Sequence, residues 1–150
     1  MRVVIQRVKD ARVLVKKKIV GSIKKGLLVF VGIESNDSNE DLNWIVNKVV
    51  NLRIFSDESG AMNYSVKNIS GEVLVVSQFT LVAMTKKGNR PSYIKAANHK
   101  IAIPIFDAFK QKIEVILDYK VESGIFGADM EVKSCNDGPV TICIDSKNKE

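Results

Sequence analysis

Two short segments carry the groups with which this chain could do chemistry. Ser77-Gln78-Phe79-Thr80 closes an unbroken apolar run, Val73-Leu74-Val75-Val76, and so sets two hydroxyls and an amide at the mouth of a buried strand. About sixty residues later, Asn136-Asp137-Gly138-Pro139-Val140-Thr141 places a Gly-Pro peptide, the bond type most able to be cis, ahead of another strand. Other equipment is sparse. A nucleophilic triad needs a base beside the nucleophile, most often histidine. His99 is the single histidine, set between Asn98 and Lys100 where a helix starts, and a solvated or capping role is expected for it. Catalytic zinc needs three protein ligands, so neither a metal nor another cofactor is expected. Walker-type and dinucleotide glycine patterns are absent.

Three further features read as structural. Asp129 and Asp137 would make a carboxylate pair, yet Asp137 within Asn-Asp-Gly-Pro has the composition of a turn. Gly124 and Gly127, with an aromatic between them, read as a bulged strand turn. Cys135 and Cys143 match no zinc spacing and are expected as plain buried or half-buried thiols. What remains is hydroxyl, amide and backbone. Taken singly, Ser77 and Thr80 are ordinary polar residues at a strand end, and Gly138-Pro139 is an ordinary turn.

The elements that must position these groups are legible from periodicity. Residues 2–8 and 11–16 alternate apolar and polar as half-buried strands do, and residues 20–23 continue the pattern. Gly26 opens Leu27-Leu28-Val29-Phe30-Val31-Gly32-Ile33, which has no polar face and must be covered on both sides. Asp37-Ser38-Asn39-Glu40 offers an N-cap with an acid three positions on, and Leu42, Ile45, Val46, Val49 and Leu52 recur at helical spacing over 39–52. A second helix carries Ile105, Phe109, Ile113, Ile116 and Leu117, with Pro104 expected in its first turn. Segment 83–92 is a polar loop; strands are expected near 120–124, 130–135 and 139–144, with a frayed tail over 146–150. The predicted fold is α/β: a single domain spanning 1–150, layered sheet/sheet/helix, with mixed and antiparallel strands and two long helices.

Bulk properties bound the partners. A chain of 150 residues can bury roughly 70% of its unfolded surface. It has no apolar run of membrane-spanning length, and its charged N-terminal stretch reads as a strand rather than a signal peptide. A soluble, cytoplasmic protein is expected, without a membrane partner. The net charge is +6, with bases gathered in Lys16-Lys17-Lys18, Lys24-Lys25 and Lys86-Lys87-Gly88-Asn89-Arg90. A polyanionic partner fits this balance; lysines that merely keep strand edges soluble fit it too.

Read together and in order, Ser77-Gln78-Phe79-Thr80 and Asn136-Asp137-Gly138-Pro139-Val140-Thr141 resemble the two signature motifs of the D-aminoacyl-tRNA deacylase (D-tyrosyl-tRNA deacylase) family. The resemblance runs from Met1 to about Asp145. It includes Arg2-Val3-Val4-Ile5-Gln6-Arg7-Val8, Lys25-Gly26-Leu27-Leu28, Asn51-Leu52-Arg53-Ile54-Phe55, Lys87-Gly88-Asn89-Arg90-Pro91-Ser92 and Phe126-Gly127-Ala128-Asp129-Met130. Lys16-Lys17-Lys18 departs from the Asp-Gly hairpin turn that the family often has. The resemblance implies hydrolysis of the ester between a D-amino acid and the terminal adenosine of tRNA, with glycyl-tRNA also accepted. It implies a catalytic segment of Ser77, Gln78, Phe79 and Thr80, and substrate contacts or chiral selection from Gly138, Pro139, Val140, Thr141, Met130 and Phe126. It further implies a homodimer whose sites are completed across the interface, and tRNA, not DNA, as the partner. The basic loop with Lys86, Lys87 and Arg90 then becomes the expected tRNA contact.

Overall fold

The computed structural model describes residues 1–149. Eight strands and two helices follow one another as β1 (Arg2–Val15), β2 (Lys18–Ile23), β3 (Gly26–Gly32), α1 (Asn39–Asn51), β4 (Phe55–Ser56), β5 (Met62–Tyr64), β6 (Glu72–Ser77), α2 (His99–Leu117), β7 (Glu122–Ser123) and β8 (Glu131–Asp145). Six strands form one mixed sheet in the order β2-β1-β3-β6-β7, with β8 along the other side of β1. The β3–β6 and β6–β7 pairs are parallel and the rest antiparallel. β4 and β5 make a separate hairpin.

Side-chain alternation divides the interior in two. Leu27, Val29 and Val31 of β3 and Val73 and Val75 of β6 face the helices, whereas Leu28, Leu74 and Val76 face the opposite way, so both apolar runs are covered on both sides. β1 joins the two interiors by a change of phase. Val3 and Ile5 lie under the helices; the register against β8 then shifts between Val8 and Asp10, and Ala11 and Val13 follow Val8 into the second cluster. A bulge inverts which residues point inward, because alternation has a period of two. The two expected sheet layers are therefore walls of one curled sheet. Its far edges approach so closely that a Cβ on Gly21 of β2 would fall 2.7 Å from the Ser123 carbonyl of β7.

The helices form the outer layer. Ser38, not Asp37, caps α1 and shares a capping box with Asp41. The Asp37 carboxylate is engaged elsewhere, accepting from the Met1 ammonium and the Glu34 N–H. Burial acts to raise the Asp41 pKa; hydrogen bonds from Lys147, Ser38 and Ser146 outweigh it and hold the carboxyl well below the ordinary range. α2 starts at His99, as expected, capped by Asn98 through the Ile101 N–H; Pro104, expected in the first turn, therefore lies in the second. Phe109 and Ile113 carry the helix onto the core and are fully buried. Truncating Phe109 to alanine should cost about 3–5 kcal/mol.

Two further expectations change. The segments 130–135 and 139–144 are one strand, β8, with the Gly-Pro motif inside it. Cys135 and Cys143 are both exposed, because they sit on the outward positions of this edge strand. The chain end does not fray from residue 146. Ser146 is buried against the Met1 ammonium, and Lys147 pairs with Asp41 at 2.5 Å. No helix among the described residues is long and apolar enough to cross a membrane.

Candidate active site

β3 and β6 run parallel, so their carboxyl ends emerge side by side, with Val31 opposite Ser77 as the last pair. There a cavity of about 600 Å³ opens between the strand ends, the start of α2 and the segment before β8. Val31, Ile33, Val76 and Ala102 form its buried apolar part. Ser77, Gln78 and Phe79 bring the first motif to it, and Phe126 and Met130 line it from the far side. Five of the expected site residues thus share one cavity.

The chain leaves β6 in a tight 3-10 turn, Phe79–Val82, anchored by Gln78 N–H to the Val31 carbonyl at 2.7 Å. No side chain caps this turn. Its first N–H groups, those of Phe79 and Thr80, lack intrahelical acceptors by the geometry of any helix start. Thr80 itself does not line the cavity. Its Oγ1 accepts a hydrogen bond from the Gln78 side-chain amide at 2.6 Å, and an amide N–H is a donor, not a base that could take the hydroxyl proton. Phe79 is 55% exposed and meets Tyr93 edge to face, with centroids 5.0 Å apart. Met84 and Ser92 exchange backbone hydrogen bonds, which makes the polar loop a small hairpin with Lys86, Lys87 and Arg90 exposed at its tip.

The second motif lies elsewhere on the same chain. Against β1, the pairing jumps from Val8–Asn136 to Gln6–Thr141, so residues 137–140 of β8 face the single residue Arg7. The Gly138-Pro139 peptide is cis, and both residues are exposed on this outward bulge. Gly138 has φ +124°, a region that side chains other than glycine's rarely adopt. Arg7 clasps the bulge: Nε donates to the Asp137 carbonyl at 3.0 Å and lies 3.3 Å from the Asp137 carboxylate, and Nη1 donates to the Ile54 carbonyl. Val140 turns back against the main core, and Thr141 faces Gln6 across the strand pair. None of Gly138, Pro139, Val140 and Thr141 lines the cavity of its own chain.

Two residues acquire places that local sequence did not indicate. His99 lines the cavity with its ring edge-on to Phe126, whereas Asn98 takes the capping role. Arg7 becomes the anchor of the second motif, and the only hint was its position in an alternating strand. Asp129 lines the cavity but Asp137 does not, so the carboxylate pair is not assembled within one chain. Among the described residues no group of three or more His, Cys, Asp and Glu is arranged to hold a metal ion.

Comparison with known proteins places this arrangement. Residues 4–145 match the family described as D-Tyr-tRNA(Tyr) deacylase. A D-aminoacyl-tRNA deacylase of Flavobacterium psychrophilum is 61% identical over the full length of both chains, and one of Bacteroides thetaiotaomicron is 55% identical over the same span. A solved structure named c-Myc DNA Unwinding Element Binding Protein superposes with a TM-score of 0.90 at 37% identity, covering 97% of this chain and 98% of that one. A second, described as a probable eukaryotic D-amino acid tRNA deacylase, shares the fold with a TM-score of 0.82 at 19% identity, covering 95% and 97%. The chain belongs to the D-Tyr-tRNA(Tyr) deacylase family.

Proposed function

We propose that the chain hydrolyses the ester between a D-amino acid and the terminal adenosine of tRNA, releasing both, and does so as a homodimer in the cytoplasm. One observation carries the reading. A cavity lined by Phe79, where an uncapped 3-10 turn begins, and an exposed glycine-proline bulge lie apart on one chain. A second copy lets the bulge of each protomer close the cavity of the other.

The chemical problem is chiral. A pocket that only fits side chains discriminates by about 1–3 kcal/mol per methylene-sized contact, too little against abundant L-aminoacyl-tRNA. Main chain set where the L side chain projects excludes it sterically. Proline fixes φ at 139, and Arg7 restrains the preceding turn, so the wall does not yield. Carbonyls of the bulge would accept hydrogen bonds from the substrate α-ammonium. Glycyl-tRNA has no side chain to exclude and passes as a second substrate. Phe126 and Met130 form the opposite wall.

For the reaction, the ester carbonyl sits against the N–H groups of Phe79 and Thr80, which stabilise the developing oxyanion. Water attacks, assisted by the 2′-hydroxyl of the terminal ribose. The hydrogen bond donated to the Thr80 Oγ1 draws on an oxygen lone pair and so supports this over a threonine nucleophile. Lys86, Lys87 and Arg90 contact the tRNA backbone beside the cavity mouth.

The test is deacylation of matched D- and L-aminoacyl-tRNAs. Hydrolysis of the D form with the L form spared is expected; hydrolysis of neither, or of both alike, overturns the reading. A monomer that stays fully active on dilution would remove the shared site. Duplex DNA, relevant because of the name of the 37% identical relative, is expected not to displace tRNA.

A further inference from the structure

We infer that His99 is a further substrate-binding residue, whose imidazole holds the phosphodiester on the 5′ side of the terminal adenosine. The inference rests on the function proposed above and adds to it where the nucleotide strand leaves the cavity. Its starting point is the chemistry of the lining. The buried part, Val31, Ile33, Val76 and Ala102, is apolar and would strongly penalise a phosphate. Among the lining residues Asp129 is the one carboxylate and His99 the one imidazole, and no lysine or arginine joins them. Asp129 shares the sign of a phosphate and repels it. His99 alone can pair an N–H donor with positive charge.

Geometry makes the imidazole a fixed donor instead of a loose surface group. Its ring meets Phe126 edge to face, with centroids 5.6 Å apart and planes at 89°. Phe126 in turn meets Phe106 at 5.6 Å, and Phe106 is buried in the main core. The chain of rings ties His99 to the interior from one side and leaves the residue exposed on the other. Its Cε1 also lies 3.7 Å from where a Cβ would stand on Gly127, so the ring rests against the Phe126-Gly127 segment. Asn98, beside it, is committed to the cap of α2, whereas Lys100, the next residue, is exposed.

With the ester carbonyl at the Phe79–Thr80 turn, the acyl group and adenosine occupy the cavity and the strand must exit at its open side, past His99. A neutral imidazole donates one hydrogen bond to a phosphate oxygen; the protonated ring adds a charge-assisted one.

The test uses two small substrates that differ by one phosphate, the same D-aminoacyl ester carried on adenosine and on adenosine 5′-monophosphate. The quantity read is the ratio of their KM values. The wild type is expected to favour the phosphorylated substrate by about tenfold, the range of one hydrogen bond to a charged group. His99→Phe keeps the ring contact with Phe126 but has no N–H, and its ratio should fall to about one; His99→Lys should restore a preference. Retention of the preference in H99F, or equal loss on both substrates, overturns the inference. Calorimetric binding of adenosine 5′-monophosphate against adenosine is run alongside. If the wild type hydrolyses neither ester, the aminoacyl-tRNA assay decides the functional reading separately, and the calorimetric preference for adenosine 5′-monophosphate, lost or kept in H99F, decides the role of His99.

Discussion

Replacing Gly138 by alanine separates structure from selection in the second motif. At φ +124° a side chain is strained, at about 1–3 kcal/mol. The added Cβ would also fall 2.9 Å from Arg7 Nη2 and 3.0 Å from Val140 Cγ2. Neither neighbour can give freely, since Arg7 is held by the carbonyls of Asp137 and Ile54 and Val140 packs on the core. The bulge or its neighbours must therefore give by a few tenths of an ångström. Against a typical total stability of about 5–15 kcal/mol, the protein still folds, with Tm lower by about 3–10 °C. A misplacement of about 1 Å at a reacting geometry is worth about a hundredfold, so a few tenths of an ångström is worth about tenfold. The ratio of kcat/KM for D- over L-aminoacyl-tRNA should fall by that order, through gain of L hydrolysis as much as loss of D hydrolysis. Thermal melting and the two deacylation rates on one preparation make the check. A lowered Tm with an unchanged D/L ratio would refute the reasoning, because the motif would then be scaffolding only.

Three other outcomes are expected. Thr80→Ala should keep deacylation within about tenfold of wild type, the scale of one lost hydrogen bond; an acyl group trapped on Thr80 would contradict the assisted-water route. Reversing charge at Lys86, Lys87 and Arg90 together should weaken tRNA binding and lower the slope of log affinity against log salt by up to about 0.7–0.9 per lost contact, and an unchanged slope would exclude the hairpin from the interface. Asp41→Asn removes the partner of Lys147 and half of the α1 capping box, and should cost about 1–2 kcal/mol at neutral pH. Because the folded carboxyl titrates below its unfolded value of about 3.9, its stabilisation is present above that pH and is lost as pH falls through the folded value. The gap in Tm between wild type and variant should narrow from pH 7 to pH 3; a constant gap would show that the charge is not what stabilises.

Much of the fold was legible because it follows from period and composition. The apolar runs at 27–31 and 73–76 require cover on both faces and have it, and the spacing of Leu42, Ile45, Val46 and Val49 defines α1 to within a residue. Errors arose where a residue's partner is distant. The segment Asp37-Ser38-Asn39-Glu40 announces a cap without saying which residue serves, and Asp37 is drawn away by the Met1 ammonium, 36 positions earlier, leaving Ser38. Local sequence predicts a frayed tail at Ser146 and Lys147 because their partners, Met1 and Asp41, lie more than a hundred positions away.

The sequence by itself determined the family resemblance, the two motifs, the alternation that builds the strands, and the scarcity of side-chain bases. Only the tertiary structure decided that the first motif opens into a cavity shared with Phe126, Met130 and His99, that residues 137–140 form an outward bulge clasped by Arg7, and that the two motifs stay apart within one chain. The reason is physical. Periodicity reports which way a side chain points relative to its own strand, whereas a cavity or a clasp depends on which strand ends become neighbours, and that is set by register across the whole sheet.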